Sequence, residues 1–72
     1  MDTIRVVAIN IESRALFPDR AGKYYKVVMQ LIKAVRVVEC DGGEATLFES
    51  DLDTFYWTNE EWGAYCERER NK

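Results

Sequence analysis

Residues 35–48 read VRVVECDGGEATLF, and this stretch decides the fold. Its first half is rich in valine, a residue that favours strands. Asp-Gly-Gly follows at positions 41–43, and glycines after an aspartate supply the positive φ angles that a tight hairpin needs. Residues 44–48 then resume a strand-like pattern. We therefore predict a β-hairpin whose turn lies at residues 41–43.

An N-terminal strand is predicted at Ile4–Ile11. Apolar residues, most of them β-branched, occupy both alternating sets of positions, a pattern typical of a strand that is covered on both faces. Residues 12–22 contain the only proline of the chain, Pro18, together with Gly22, and we interpret them as a connection.

The segment Lys23–Arg36 supports two interpretations. Its polar residues recur every three or four positions, the period of an amphipathic helix, and Asp19 is a candidate N-cap. We predict a helix on this basis. The alternative is a strand at residues 24–32, because the tyrosine and valine pairs favour strands and Tyr25, Val27 and Met29 alternate.

The C-terminal part predicts a strand followed by a helix. Thr54–Thr58 has strand character, and Thr58 with Glu61 three residues later forms a capping-box pattern. The helix is expected to end near Arg70, with acids in its first turn and arginines in its last, as the helix dipole prefers.

These elements predict one small α+β domain covering residues 1–72. The expected order is β-α-β-β-α with a mostly antiparallel sheet. The alternative is a β-meander of four strands with one C-terminal helix. A core of this size buries only about 60% of the surface that the unfolded chain exposes, so we expect marginal stability.

The composition argues against an enzyme and against a bound cofactor or metal. Without histidine the chain has no imidazole base and no cysteine–histidine or serine–histidine pair. Two cysteines, Cys40 and Cys66, are too few for a thiolate metal site, and we interpret them as reduced thiols, with a disulfide between them as the alternative. The chain shows neither a signal-peptide pattern nor a membrane span, so we expect a cytoplasmic protein, in a cell or in an infected host.

Charge is distributed unevenly. Residues 1–36 carry seven basic and three acidic residues, whereas Val37–Glu67 holds nine acidic residues, no basic one and six of the nine aromatics. The net charge of the chain is −3. Acidic and aromatic side chains together form a plausible surface for a basic, partly apolar partner.

The aromatic residues between positions 51 and 62 outnumber the places that a single core face provides. In a strand, Phe55 and Trp57 face one side and Tyr56 the other, so at least one large ring is expected to be exposed. The candidate protein-binding residues are Asp51, Asp53, Phe55, Tyr56, Trp57, Glu60, Glu61 and Trp62.

The leading hypothesis is a non-enzymatic regulator or inhibitor that docks this surface on a larger protein with a basic surface, such as a polymerase or nuclease. Its small size and acidity are similar in general character to regulators that viruses use against host machines. The first alternative is a structural, homo-oligomer-forming protein. The second is nucleic-acid binding through the basic element Lys23–Arg36, although the acidic pI of about 4.9 disfavours contact with phosphates.

Overall fold

The computed structural model describes residues 2–72, which form five strands, one α-helix and three short 3₁₀ turns. The strands are β1 (Thr3–Ile9), β2 (Tyr24–Leu31), β3 (Ala34–Val38), β4 (Glu44–Phe48) and β5 (Leu52–Thr58), and the helix is α1 (Asn59–Arg70). The 3₁₀ turns are Ile11–Ser13, Pro18–Arg20 and Glu49–Asp51.

All five strands belong to one antiparallel sheet with the order β4-β3-β2-β1-β5. A flat sheet would hold its two edge strands about 19 Å apart, four strand spacings. Yet β4 and β5 are joined only by Glu49–Asp51, and a 3₁₀ turn of that length covers about 6 Å. The sheet must therefore curl until the end of β4 approaches the start of β5, and because these two strands do not pair, it forms a half-open barrel.

The barrel interior is lined by side chains from alternate positions of each strand, and we call this side of the sheet the inner face. It contains the main core cluster, in which no residue is more than 6% exposed. Strand register brings the members together, since Val7 lies opposite Tyr25 and Val35 opposite Leu47. The cluster consists of Val7, Tyr25, Val35, Val37 and Leu47.

Helix α1 covers part of the opposite side, the outer face. Its buried residues are Tyr65 and Cys66. Cys66 forms a disulfide with Cys40, which follows β3, and the two Cα atoms are 5.0 Å apart. The expectation of two reduced thiols is therefore wrong. The disulfide joins the middle of α1 to the hairpin between β3 and β4.

The α+β class, the hairpin and the C-terminal helix are confirmed. Gly42 provides the positive φ, +91°, at the hairpin turn. The helix predicted at Lys23–Arg36 is wrong, because this segment forms β2, a tight turn at Ile32–Lys33 and most of β3. The meander alternative, with a strand at residues 24–32, describes it, although the sheet has five strands rather than four.

The polar residues that suggested a helix lie on separate elements, and β2 contains a β-bulge. The β2–β3 register shifts between Val27 and Met29, which inserts one extra residue and shifts the alternation of side chains. Lys26 and Gln30, four positions apart, therefore lie on opposite faces of the sheet, whereas Lys33 lies in the turn and Arg36 on β3. In the part of the chain that the structure describes, no helix is long and apolar enough to cross a membrane.

Candidate protein-binding surface

Strand β5 distributes the predicted aromatic residues over both sides of the sheet, as its alternation requires. Phe55 lies opposite Val6 and Trp57 opposite Ile4 on the outer face. Tyr56 lies opposite Arg5, on the inner-face side. The expectation that Phe55 and Trp57 share one side and Tyr56 takes the other is confirmed.

The outer-face aromatics do not form a free surface, because α1 packs against them. Trp57 contacts Tyr24, Trp62 and Tyr65, with ring centroids 4.8, 6.3 and 5.7 Å away respectively. Phe55 meets Tyr24 edge-on at 5.6 Å. We call these five residues the aromatic layer. Trp57 and Trp62 therefore join the helix to the sheet, and each is only half-buried.

Tyr65 fixes the position of α1 over the sheet. Its hydroxyl oxygen accepts a hydrogen bond from the backbone N–H of Tyr24 at 3.0 Å. This contact satisfies a backbone donor at the first residue of β2. Burial is the largest influence on the Tyr65 hydroxyl and raises its pKa above the usual value.

The start of α1 is fixed by the predicted capping box. The Thr58 hydroxyl accepts a hydrogen bond from the Glu61 N–H at 3.1 Å, and the Thr58 N–H donates to the Glu61 carboxylate at 3.0 Å. Glu61 thus has a structural role in addition to its place in the predicted surface. Its neighbour Glu60 is exposed, and its negative charge interacts favourably with the positive end of the helix dipole.

Tyr56 is the most exposed aromatic of the predicted set, at 69%, followed by Phe55 at 37%. Tyr56 has an inner-face position but lies where the barrel is open, because β5 and β4 do not pair. The side chain opposite it, Arg5, donates to Glu49 at 2.6 Å and also to Gln30. This hydrogen bond from Arg5 is the main reason that the pKa of Glu49 is lowered.

Folding neutralises only part of the acidic stretch. Within residues 2–72, Glu49 pairs with Arg5 and Glu44 with Arg36, whereas the other acids between residues 37 and 67 form no ion pair. Asp51 instead accepts a hydrogen bond from the Ser13 hydroxyl at 3.1 Å. The carboxylates without such partners on β5 and at the start of α1 are those of Asp53 and Glu60.

The structure separates the eight predicted residues into three groups. Trp57 and Trp62 belong to the aromatic layer, and Asp51 holds the turn before β5. The remaining residues are exposed and lie on β5 and the first turn of α1. Phe55 is among them, although it also contacts Tyr24 at the edge of the aromatic layer. We call this set the β5–α1 surface: Asp53, Phe55, Tyr56, Glu60 and Glu61.

Sequence reasoning missed the roles of Tyr24 and of the disulfide. The predicted helix includes Tyr24, whereas in the structure Tyr24 and Lys26 lie on the outer face of β2. The position of Tyr65 was indicated by its helical spacing from Trp62, but nothing in the spacing showed what it would contact.

Two clefts lie away from the β5–α1 surface. One, of about 230 Å³, lies between Tyr25 and Tyr65 and is also lined by the disulfide. The other, of about 240 Å³, lies between Phe17 of the β1–β2 connection and Phe48 of β4. Comparison with protein-family models, with curated proteins and with solved structures finds no significant match to this chain.

Proposed function

We propose that this protein is a non-enzymatic binding module that docks its β5–α1 surface on a basic surface of a larger protein. The observation that carries the proposal is the presence on β5 of two exposed rings, Tyr56 on the inner-face side and Phe55 on the outer face, where it shares its side with the carboxylate of Asp53. Asp53 has no ion pair within residues 2–72. Glu60 extends the negative charge to the first turn of α1.

The two kinds of side chain have different roles in this proposal. Carboxylates steer a basic partner and raise the association rate, an effect that falls with ionic strength. Exposed rings, above all tyrosine, supply area and slow dissociation. Trp57 and Trp62 contribute indirectly, because the aromatic layer braces β5 against α1.

A regulator or inhibitor of a polymerase or nuclease fits this chemistry, since such enzymes present basic surfaces to phosphates. Occupation of that surface would block substrate sterically. A viral source for such a regulator stays a prediction. The disulfide is typical of oxidising compartments, so cytoplasmic placement also stays a proposal, which a thiol count on protein alkylated during cell lysis would test.

A self-associating structural protein is the second candidate, favoured by a different observation. Leu31, Ala34 and Phe48 lie in register across three neighbouring strands on the outer face. Ile32 at the adjacent turn is 92% exposed and Phe48 is 68% exposed. Such an apolar row is typical of an interface.

The hypothesis of direct nucleic-acid binding was based on a basic helix at Lys23–Arg36. The proposed basic helix does not exist, and Lys26 and Arg36 lie on two different strands. Arg36 also pairs with Glu44 at 3.3 Å. This alternative stays an untested prediction.

Affinity capture with matched variants tests the proposal. The immobilised protein is expected to retain a specific partner, and the double variant Tyr56→Ala with Glu60→Lys is expected to lose it. Glu67→Lys is the control, because it makes the same charge change on α1 at an exposed residue outside the β5–α1 surface. Circular dichroism checks that all variants fold.

The outcomes separate the two candidates. Equal capture by the double variant and the control would eliminate the β5–α1 surface as the binding site. A tight dimer in sedimentation at micromolar concentration, lost with Phe48→Ser but kept with Tyr56→Ala, would favour self-association instead.

A further inference from the structure

The β5 strand is a free edge of the sheet. It pairs with β1 alone among the described strands, and its other side has no neighbouring strand. Natural proteins protect such edges with lysine, proline, bulges or short strands. β5 is seven residues long, contains no lysine or proline, and its only charged residue is Asp53.

Hydrogen bonding at one end of β5 shows which backbone groups are free. The Asn10 N–H donates to the Asp51 carbonyl at 2.9 Å, and these two residues continue the β1–β5 register by one pair beyond Ile9 and Leu52. Hydrogen-bonded pairs alternate with non-bonded pairs in an antiparallel ladder. The odd-numbered residues of β5 therefore bond to β1, and the even-numbered residues point their N–H and C=O groups away from it.

Two further hydrogen bonds agree with this assignment. The Leu52 N–H donates to the Glu49 carbonyl, and the Thr58 N–H donates to the Glu61 carboxylate at 3.0 Å. Both are even-numbered residues, and neither N–H is directed to β1. These local contacts satisfy the N–H groups at the two ends of the strand. The outward groups in its middle belong to Thr54 and Tyr56, both of which are exposed.

The second edge strand, β4, is shorter than β5. The Glu39 N–H donates to the Gly43 carbonyl at 2.8 Å, so the same alternation directs the backbone groups of Thr46 outward. However, β4 has only five residues, two fewer than β5. β5 therefore offers the longer edge to another chain.

We propose that β5 accepts an extended basic segment of the partner as a sixth strand. This inference rests on the proposed function and names the chemistry of the partner. Residues of an added strand lie about 5 Å from those opposite them, so lysine or arginine on the outer-face side would pair with Asp53. Apolar side chains on the other side would contact Tyr56. The outward groups of Thr54 and Tyr56 supply the main-chain hydrogen bonds.

A designed peptide provides the probe. It is capped, matches β5 in length and alternates lysine with valine, so that one side is basic and the other apolar. Addition to the edge is expected to slow amide exchange of Thr54 and Tyr56 and to shift their NMR signals, with smaller changes in β4. Binding is expected to weaken as salt is raised, because the carboxylates contribute to it.

The key variant is Thr54→Pro, which removes an outward N–H while leaving the β1 ladder and the flanking side chains in place. It is expected to reduce peptide affinity at least about tenfold, the equivalent of one hydrogen bond and a steric block. Thr46→Pro is the matched control, because it makes the same change at an outward-pointing position of the other edge strand. It is expected to leave the affinity unchanged.

A second peptide keeps the test decisive even if Thr54→Pro does not fold. It carries the same side chains but has methyl groups on the backbone nitrogens of every second residue, so that it cannot donate to the edge. Equal binding of the two peptides would overturn strand addition and leave side-chain docking, as in the proposed function. Absence of binding by either peptide would also overturn it, while the capture experiment would still decide the proposed function independently.

Discussion

The barrel interior and the aromatic layer are two apolar regions built on opposite faces of the same strands. In the interior, Val7, Val35 and Val37 are fully buried, and strands enclose them. In the aromatic layer, large rings meet at centroid distances of 4.8–6.3 Å, yet Trp57 and Trp62 remain half-exposed. The interior is built by strand residues alone, whereas the layer depends on one helix.

The difference shows that the two regions are held together by different contacts. The interior is held by ladders that run through four strand pairs. The layer is held by the Tyr65–Tyr24 hydrogen bond, the capping box and the disulfide. Strand β5 belongs to both regions, so that the edge proposed to bind a partner is braced from both sides.

Removal of the disulfide is expected to have the largest effect, and to act on the layer. The crosslinked residues are 26 positions apart. Loop-closure entropy for a loop of that length predicts that Cys40→Ser with Cys66→Ser lowers the free energy of unfolding by about 3.5 kcal/mol. Urea titration with tryptophan fluorescence measures it, and wild type treated with a reductant should behave alike. A loss below about 1 kcal/mol would show that ring packing holds α1 without the crosslink.

Truncation within the barrel is expected to rank second. Val35→Ala removes two methyl groups from a fully buried position and should cost about 2 kcal/mol, from the lost transfer energy and the cavity left behind. Val28→Ala, at the exposed bulge of the same sheet, is the control and should change stability by less than about 0.5 kcal/mol. Equal costs for the two variants would contradict the barrel core.

The hydrogen bond of Tyr65 should contribute less. Tyr65→Phe keeps the ring in the aromatic layer but leaves the Tyr24 N–H without its acceptor, which should cost about 1 kcal/mol. Tyr56→Phe removes the same hydroxyl group from an exposed ring and should be nearly neutral. A difference in urea midpoints between the two variants measures the bond, and identical midpoints would show that it adds nothing to the packing of α1.

The sequence predicted best those elements whose signals are local. The Asp-Gly-Gly turn and the Thr58–Glu61 capping box each lie within a few residues, and both form as expected. The β2 strand was misassigned because polar residues of β2, of the following turn and of β3 recur every three or four positions along the sequence. The turn at Ile32–Lys33 could not be predicted either, because the sequence there lacks the glycine or asparagine that usually marks such a turn. Lys33 nevertheless adopts a φ of 61°.

Features that depend on distant contacts were not predictable in the same way. Pairing of Cys40 with Cys66 requires α1 to lie over the end of β3, and no spacing within the sequence specifies this arrangement. The alternation of Phe55, Tyr56 and Trp57 was clear from the sequence. The sequence did not show which side of the sheet α1 would cover. Because α1 covers the outer face, Trp57 lies in the aromatic layer and Tyr56 stays exposed.

Acid should reveal the smallest difference, at the Arg5–Glu49 ion pair beside the open side of the barrel. The hydrogen bond from Arg5 lowers the pKa of Glu49 in the folded protein below that in the unfolded chain. The stability it contributes is therefore present above the unfolded pKa and lost as pH falls through the folded pKa.

Glu49→Gln should accordingly lower the melting temperature at neutral pH and converge with wild type in acid. The effect is expected to be small, because the Glu49 side chain is 42% exposed and surface ion pairs contribute little. Glu67→Gln removes the same charge from a residue that forms no ion pair within residues 2–72, and its difference from wild type should lack this pH dependence. If the melting temperatures of Glu49→Gln and wild type changed in parallel with pH across the acid range, the ion pair would contribute no stability to this side of the barrel.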